Sequence, residues 1–203
     1  MKKKIITILL FLFSACYGYS QLSWNAKAGM NLSRITNYGE VNMKPGYQFG
    51  VGMDYYFTNH LGIQPSLMII SKGYKDKNEI YVGDFEDGYG GYYPNASYNQ
   101  TLNRIYIELP VMLAYRFNVS GAMKLVINGG GYVSYGIGGK CHYKIAYKDG
   151  STEMANGSSF SERTQKSDFG LSTGTALEYK NRYTLSLFGE WGLKKHIQTC
   201  LPS

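Results

Sequence analysis

Residues 104–117 read Arg104-Ile105-Tyr106-Ile107-Glu108-Leu109-Pro110-Val111-Met112-Leu113-Ala114-Tyr115-Arg116-Phe117. Sorted by parity, Ile105, Ile107, Leu109, Val111, Leu113, Tyr115 and Phe117 fall on one side. Arg104, Tyr106, Glu108, Pro110, Met112, Ala114 and Arg116 fall on the other. Successive side chains of a strand point to opposite faces, so this order predicts a strand with one wholly apolar face and one carrying three charges. A helix would spread both sets around its circumference.

The same alternation recurs outward in both directions. Trp24, Ala26, Ala28, Met30 and Leu32 oppose Asn25, Lys27, Gly29 and Asn31; Tyr47, Phe49, Val51, Met53, Tyr55 and Phe57 oppose Gln48, Gly50, Gly52 and Asp54. Towards the C-terminus, Phe169, Leu171, Leu177 and Tyr179 oppose Gly170, Ser172, Gly174, Ala176 and Glu178. Tyr183, Leu185, Leu187, Trp191 and Leu193 oppose Thr184, Ser186 and Glu190. Residues 61–70 and 125–137 are looser, yet set Ile63, Leu67 and Ile69, or Leu125, Ile127, Val133 and Ile137, on one side. Seven strands are legible.

The chain has 20 Tyr, 25 Gly and only 5 Pro among 203 residues, a composition of strands and turns. The apolar faces end in Tyr, Trp and Phe, as at a membrane interface, and strands of about ten residues are long enough to cross a bilayer at a steep tilt. The slightly negative mean hydropathy, −0.27, fits a barrel whose polar inner face offsets its lipid face. The expected fold is all-β, a small antiparallel up-and-down transmembrane barrel. Lys27, Asp54, Arg104, Glu108, Arg116, Glu178 and Glu190 are expected to pair inside it as a structural charge network.

Connections alternate long and short. Residues 36–44 are moderate and 72–103 and 138–166 long; 58–60, 118–122 and 180–182 are turns. In bacterial outer-membrane barrels the short turns are periplasmic and the long loops lie outside. The 72–103 connection holds Asp84, Glu86 and Asp87, then Tyr89, Tyr92, Tyr93 and Tyr98 among glycines. The tyrosines could form a recognition surface and the acids could hold Ca²⁺. The plainer reading is a solvated loop, or two strands extended as a hairpin beyond the membrane.

Residues 1–20 read as a secretory signal. Lys2, Lys3 and Lys4 precede an apolar core at 5–13 that is too short to span a bilayer, and Gly18-Tyr19-Ser20 places cleavage before Gln21. The alternative is lipidation at Cys16, after Phe13-Ser14-Ala15. The mature domain is then 21–203. Removing the three lysines from the 21 basic residues leaves 18 against 14 acidic, an ordinary surface balance with no nucleic-acid footprint. Pairing of Cys141 with Cys200 is left open by their spacing. No metal or cofactor is expected, since two cysteines and the scattered His60, His142 and His196 do not make a zinc site. His142 lies near Ser134 and Ser151 in sequence, the one arrangement that would suit a barrel hydrolase.

Ordered motifs cover most of the mature chain. They are Ala28-Gly29-Met30-Asn31-Leu32-Ser33, Pro45-Gly46-Tyr47-Gln48-Phe49-Gly50-Val51-Gly52, Ile63-Gln64-Pro65-Ser66-Leu67 with Lys72-Gly73, Tyr106-Ile107-Glu108-Leu109-Pro110, Asn128-Gly129-Gly130-Gly131-Tyr132, and Phe169-Gly170-Leu171 with Gly174. In that order the chain resembles the Bacteroidetes outer-membrane β-barrel family of porin-family and PorT-family proteins. The resemblance implies a nominally eight-stranded barrel of the OmpA/OmpX kind without enzymatic activity. It departs from the family after Leu193, where residues 194–203 neither alternate nor end in an aromatic residue. The closing strand is thus missing, the chain being cut short, or hidden at residues 142–147, hairpinned with 159–163. The expected role is a structural or surface-binding barrel, monomeric, in contact with outer-membrane lipid and an unidentified extracellular or envelope protein. A wide diffusion pore is not expected, because eight strands enclose only side chains. The competing reading, a soluble lipocalin-like barrel for a small apolar ligand, would turn Ile105, Ile107 and Leu109 inward.

Overall fold

The computed structural model describes residues 22–34, 42–80, 96–147, 150–160 and 165–194, with backbone only at 78–80. Among the described residues there are eight strands: β1 (Leu22–Ser33), β2 (Asn42–Tyr56), β3 (Leu61–Ile80), β4 (Ala96–Asn118), β5 (Met123–Tyr147), β6 (Thr152–Ser158), β7 (Ser167–Tyr179) and β8 (Tyr183–Gly192). All pairings are antiparallel, and the path through the sheet is β1-β2-β3-β4-β5-β7-β8, with β6 attached to β5 alone. The wall therefore has the seven strands the alternation predicts. β1 and β8 end it as two edges, running in the same direction because the count is odd.

The sheet curls so that its polar side is concave. Arg104, Glu108 and Ala114 on β4 are 2%, 1% and 1% exposed, whereas Ile107, Leu109, Val111 and Leu113 between them are 40–58% exposed. Most exposed apolar residues of the wall strands share that outer side, while Met68, Ile70, Met112 and Val126 pack on the inner one. Met30, Leu185 and Leu187 reach 86%, 78% and 77%, because β1 and β8 lack a neighbour on one flank. A continuous apolar belt of this extent suits lipid and not water. A lipocalin-like barrel would need the inverse arrangement, so that reading does not survive.

Tight turns close one end. Lys180 and Asn181 both have positive φ, 51° and 55°, and Arg182 N–H donates to Tyr179 O at 3.1 Å. This is a type I′ turn, whose twist matches the strands it joins. At Thr58, Oγ1 accepts from the backbone N–H of Leu61 at 2.9 Å and of His60 at 3.2 Å.

The opposite end departs from the seven short strands. β3 and β4 stay paired to Ile80 and Ala96, so most of the long 72–103 connection is a hairpin. β5 continues past a bulge, where Ile105 pairs with Gly138 and Tyr106 with Gly136, leaving Ile137 as the extra residue. Its upper end, Lys140–Ala146, pairs with β6. Residues 142–147 are thus the end of β5 and not a hidden wall strand, and their partner is β6; of the expected partner at 159–163, residues 161–163 lie outside the described residues. A bulge explains the misreading: it switches the parity of β5, so alternation counted across it fails. The result is a four-stranded sheet, β3-β4-β5-β6, rising beyond the wall.

Candidate functional site

The concave face gathers charge at two levels. At the upper one, Lys72 Nζ donates to Glu108 Oε2 at 2.6 Å and to Glu190 Oε2 at 2.8 Å. The same ammonium stands 4.6 Å from the centroid of Tyr132, and Tyr132 OH donates to Asp168 Oδ2 at 3.3 Å. Four wall strands, β3, β4, β5 and β8, thus meet on one cation. The Glu108 side chain is fully buried and that of Glu190 is 27% exposed. Residues 72 and 190 belong to strands far apart along the sheet path, so this contact spans the concavity.

At the lower level, near the tight turns, Arg116 Nη2 pairs with Glu178 Oε2 at 2.7 Å. Its guanidinium lies 3.7 Å from the centroid of Tyr56, a cation–π stack that adds to the ion pair. Lys27 Nζ donates to Ser66 Oγ at 2.6 Å and lies close enough to Asp54 for the two charges to interact. Asn128 donates to Gln64, and Gln64 in turn to Tyr56 OH. Glycines make room for these groups: a Cβ at Gly130 would collide with the backbone of Val111 and Met112.

Arg104 behaves differently from the other six charged residues expected inside. It is buried without an ion pair among the described residues. Its Nε donates to Ser159 O at 3.2 Å, its guanidinium sits 5.1 Å from the Phe160 ring, and Nη2 has no partner. Ser159 is 1% exposed. Phe160 lies edge-on to Tyr106 at 5.9 Å and covers Gly136 so closely that any Cβ there would meet its ring. After β6, Ser159 and Phe160 therefore fold back over the mouth of the concavity.

The remaining expected residues fall as follows. Tyr98 lies on β4 and not in a loop; its ring is 6.0 Å from that of Tyr143, and it pairs in register with Ile145. Tyr89, Tyr92, Tyr93, Asp84, Glu86 and Asp87 lie outside the described residues, as do the 1–20 signal, Cys16, Gln21 and Cys200. Cys141 is fully buried beside Tyr74 and Leu102 and accepts from Gln100 Nε2 at 3.4 Å. His142 is exposed, with Nδ1 2.5 Å from Asn156 Oδ1. Its register partner on β4 is Thr101, whereas Ser134 is buried opposite Glu108. The two residues thus face opposite sides of β5, and no nucleophile–base pair forms between them. Among the described residues no three His, Cys, Asp or Glu side chains gather in a way that could hold a metal ion.

Lys72 is the functional residue the sequence reading missed. It stands two residues past Ile70, the expected end of the third strand, and was counted with the loop. The parity of Gln64, Ser66, Met68 and Ile70, extended by one step, would have placed it inside.

Compared with known proteins, residues 14–198 match the profile of a family described as "Outer membrane protein beta-barrel domain". No curated protein gives a significant match, and no solved structure does.

Proposed function

Because the chain belongs to the outer membrane protein beta-barrel domain family, and is therefore a protein of the bacterial outer membrane, we propose that it serves there as a non-enzymatic, non-porin barrel. Its role is structural or surface-binding. The observation that carries this is the bridging of the concavity by Lys72, between Glu108 and Glu190, and by Arg116, between Glu178 and Tyr56. Charges spent on one another across a narrow interior leave little room for a solute path. The long-loop end faces outside and the tight turns face the periplasm, as the alternating loop lengths indicate.

The finer reading keeps the Bacteroidetes porin-family and PorT-family resemblance, a cleaved signal ending before Gln21, a monomer in contact with lipid, and an extracellular or envelope protein partner at the raised sheet. No cofactor takes part.

Conductance across planar bilayers tests the proposal. The folded protein is expected to give no steady open channel in molar salt. A stable, wide conductance with little ion selectivity would overturn the closed interior. Retained alkaline N-terminal sequence upstream of Gln21 in protein recovered from outer membranes would overturn the cleavage site.

A further inference from the structure

Above the lipid belt, the raised sheet sorts its charges by face. Register puts Gly73, Asn103, Lys140 and Ser158 in one row; Lys75, Thr101, His142 and Asn156 in the next; and Lys77, Asn99, Lys144 and Met154 in a third. These rows continue the outer, lipid-facing side of the wall, because Ile105 and Ile107 have the same parity on β4. Lys75, Lys77, Lys140, His142 and Lys144 are all exposed. None of the four lysines makes an ion pair among the described residues, and Lys44 stands near enough to Lys75 for their charges to repel. The rest of the three rows is neutral. Asp76 pairs with Gln100, and Glu153 with Ile145, on the opposite face. The nearest acid in the outer register is Glu79, beyond these rows towards the tip.

Four unpaired lysines on one flat face repel each other and persist best where an anion lies against them. With strands about 4.8 Å apart, β3 and β5 put two lysine columns about 10 Å apart. Within a column, residues two apart are separated by about 7 Å. The first row begins two residues above Ile105, so the patch stands at the level of the headgroups over the apolar belt. Nucleic acid would meet a face without aromatic platforms. A membrane surface meets it by construction.

We infer that this outer face of β3-β4-β5-β6 docks the phosphate groups of the phosphorylated glycolipid in the leaflet outside the cell. Lys75, Lys77, Lys140 and Lys144 supply the charge; Thr101, Asn99 and Asn156 supply neutral hydrogen-bonding groups between them. The inference rests on the proposed orientation, with the long-loop end outward.

The test uses the full mature chain folded in a zwitterionic detergent. Binding of bis-phosphorylated lipid A and of its dephosphorylated form is measured by native mass spectrometry and by salt titration. The wild type is expected to prefer the phosphorylated form at least tenfold and to lose that preference as salt rises. The variant K75Q/K77Q/K140Q/K144Q should lose the preference, at roughly fivefold per lysine near the surface. K180Q/R182Q, at the turn end, should keep it. Equal binding of the two lipid forms, or an unchanged four-lysine variant, overturns the inference. Orientation is read separately, by labelling Thr152→Cys, outside the patch at the long-loop end, or Lys180→Cys with a membrane-impermeant maleimide on intact cells, in a Cys200→Ser background. Labelling at 152 and not at 180 supports the orientation on which the inference rests. Labelling at 180 alone overturns the orientation and, with it, the outer leaflet as source, even where purified protein prefers the phosphorylated lipid.

Discussion

Lys72→Met removes the cation that Glu108 and Glu190 share while keeping most of the side-chain volume. What remains is a fully buried carboxylate at position 108 and a second carboxylate nearby. Breaking a buried ion pair from one side costs about 3–5 kcal/mol, most of it the penalty of the orphaned charge. The Glu190 contact, partly exposed and screened, adds no more than about 1 kcal/mol. We therefore expect a loss of about 3–5 kcal/mol. In Lys72→Met/Glu108→Gln the buried orphan is neutral, so the double variant should recover about 2–3 kcal/mol relative to the sum of the single losses. Urea unfolding in micelles reports this, because Trp24 on β1 and Trp191 on β8 lie on the lipid side of the two edge strands. For a urea slope of about 2 kcal/mol/M, the Lys72→Met midpoint falls by about 1.5–2.5 M and the slope stays unchanged. A shift below about 0.3 M, or single-variant losses that simply add, would refute the claim that this cluster ties β8 to β3 across the interior.

Val111→Lys, midway along the outer face of β4, should cost about 2–4 kcal/mol of folding free energy in bilayers; no loss in lipid would mean that face does not meet the hydrocarbon. Gly130→Val forces a side chain against the Val111 and Met112 backbone and is expected to abolish the folded band in a heat-modifiability gel, while Gly121→Val at an open turn leaves it intact. Phe160→Ala uncovers Arg104 and Gly136 and should lower stability by about 3 kcal/mol; an unchanged midpoint would contradict the packed mouth. Cys141, fully buried, should resist maleimide in folded Cys200→Ser protein and react once urea unfolds it, as read by intact mass.

The wall was readable because lipid on one side and a packed interior on the other impose a period of two, blurred where apolar residues such as Met68, Ile70 and Val126 also line the interior. Residues 104–117 carry this in full, and six of the seven expected interior charges stand in an interacting group on the concave side. Above the belt the constraint relaxes. Tyr74, Asp76 and Tyr98 share an inner face with Leu102, while lysines, Thr and Asn share the outer one, so polarity no longer separates the faces and the extensions of β3, β4 and β5 read as loop. The Ile137 bulge then shifts parity within β5. Lys72 was lost at that boundary, one step beyond the last apolar residue. Phe160 was lost for a different reason: its contacts with Arg104, Tyr106 and Gly136 are long-range, and no local pattern signals a chain that folds back.

The β3-β4 hairpin also sets a height. From Gly73 to Ile80 the strand climbs seven steps, about 23 Å at 3.3 Å each, braced on one side by β5 and β6 for much of that length. The ends of β3 and β4, at Ile80 and Ala96, are therefore paired well above the apolar belt. In the proposed orientation, that height lifts the hairpin clear of the bilayer, with its footing held by four paired strands.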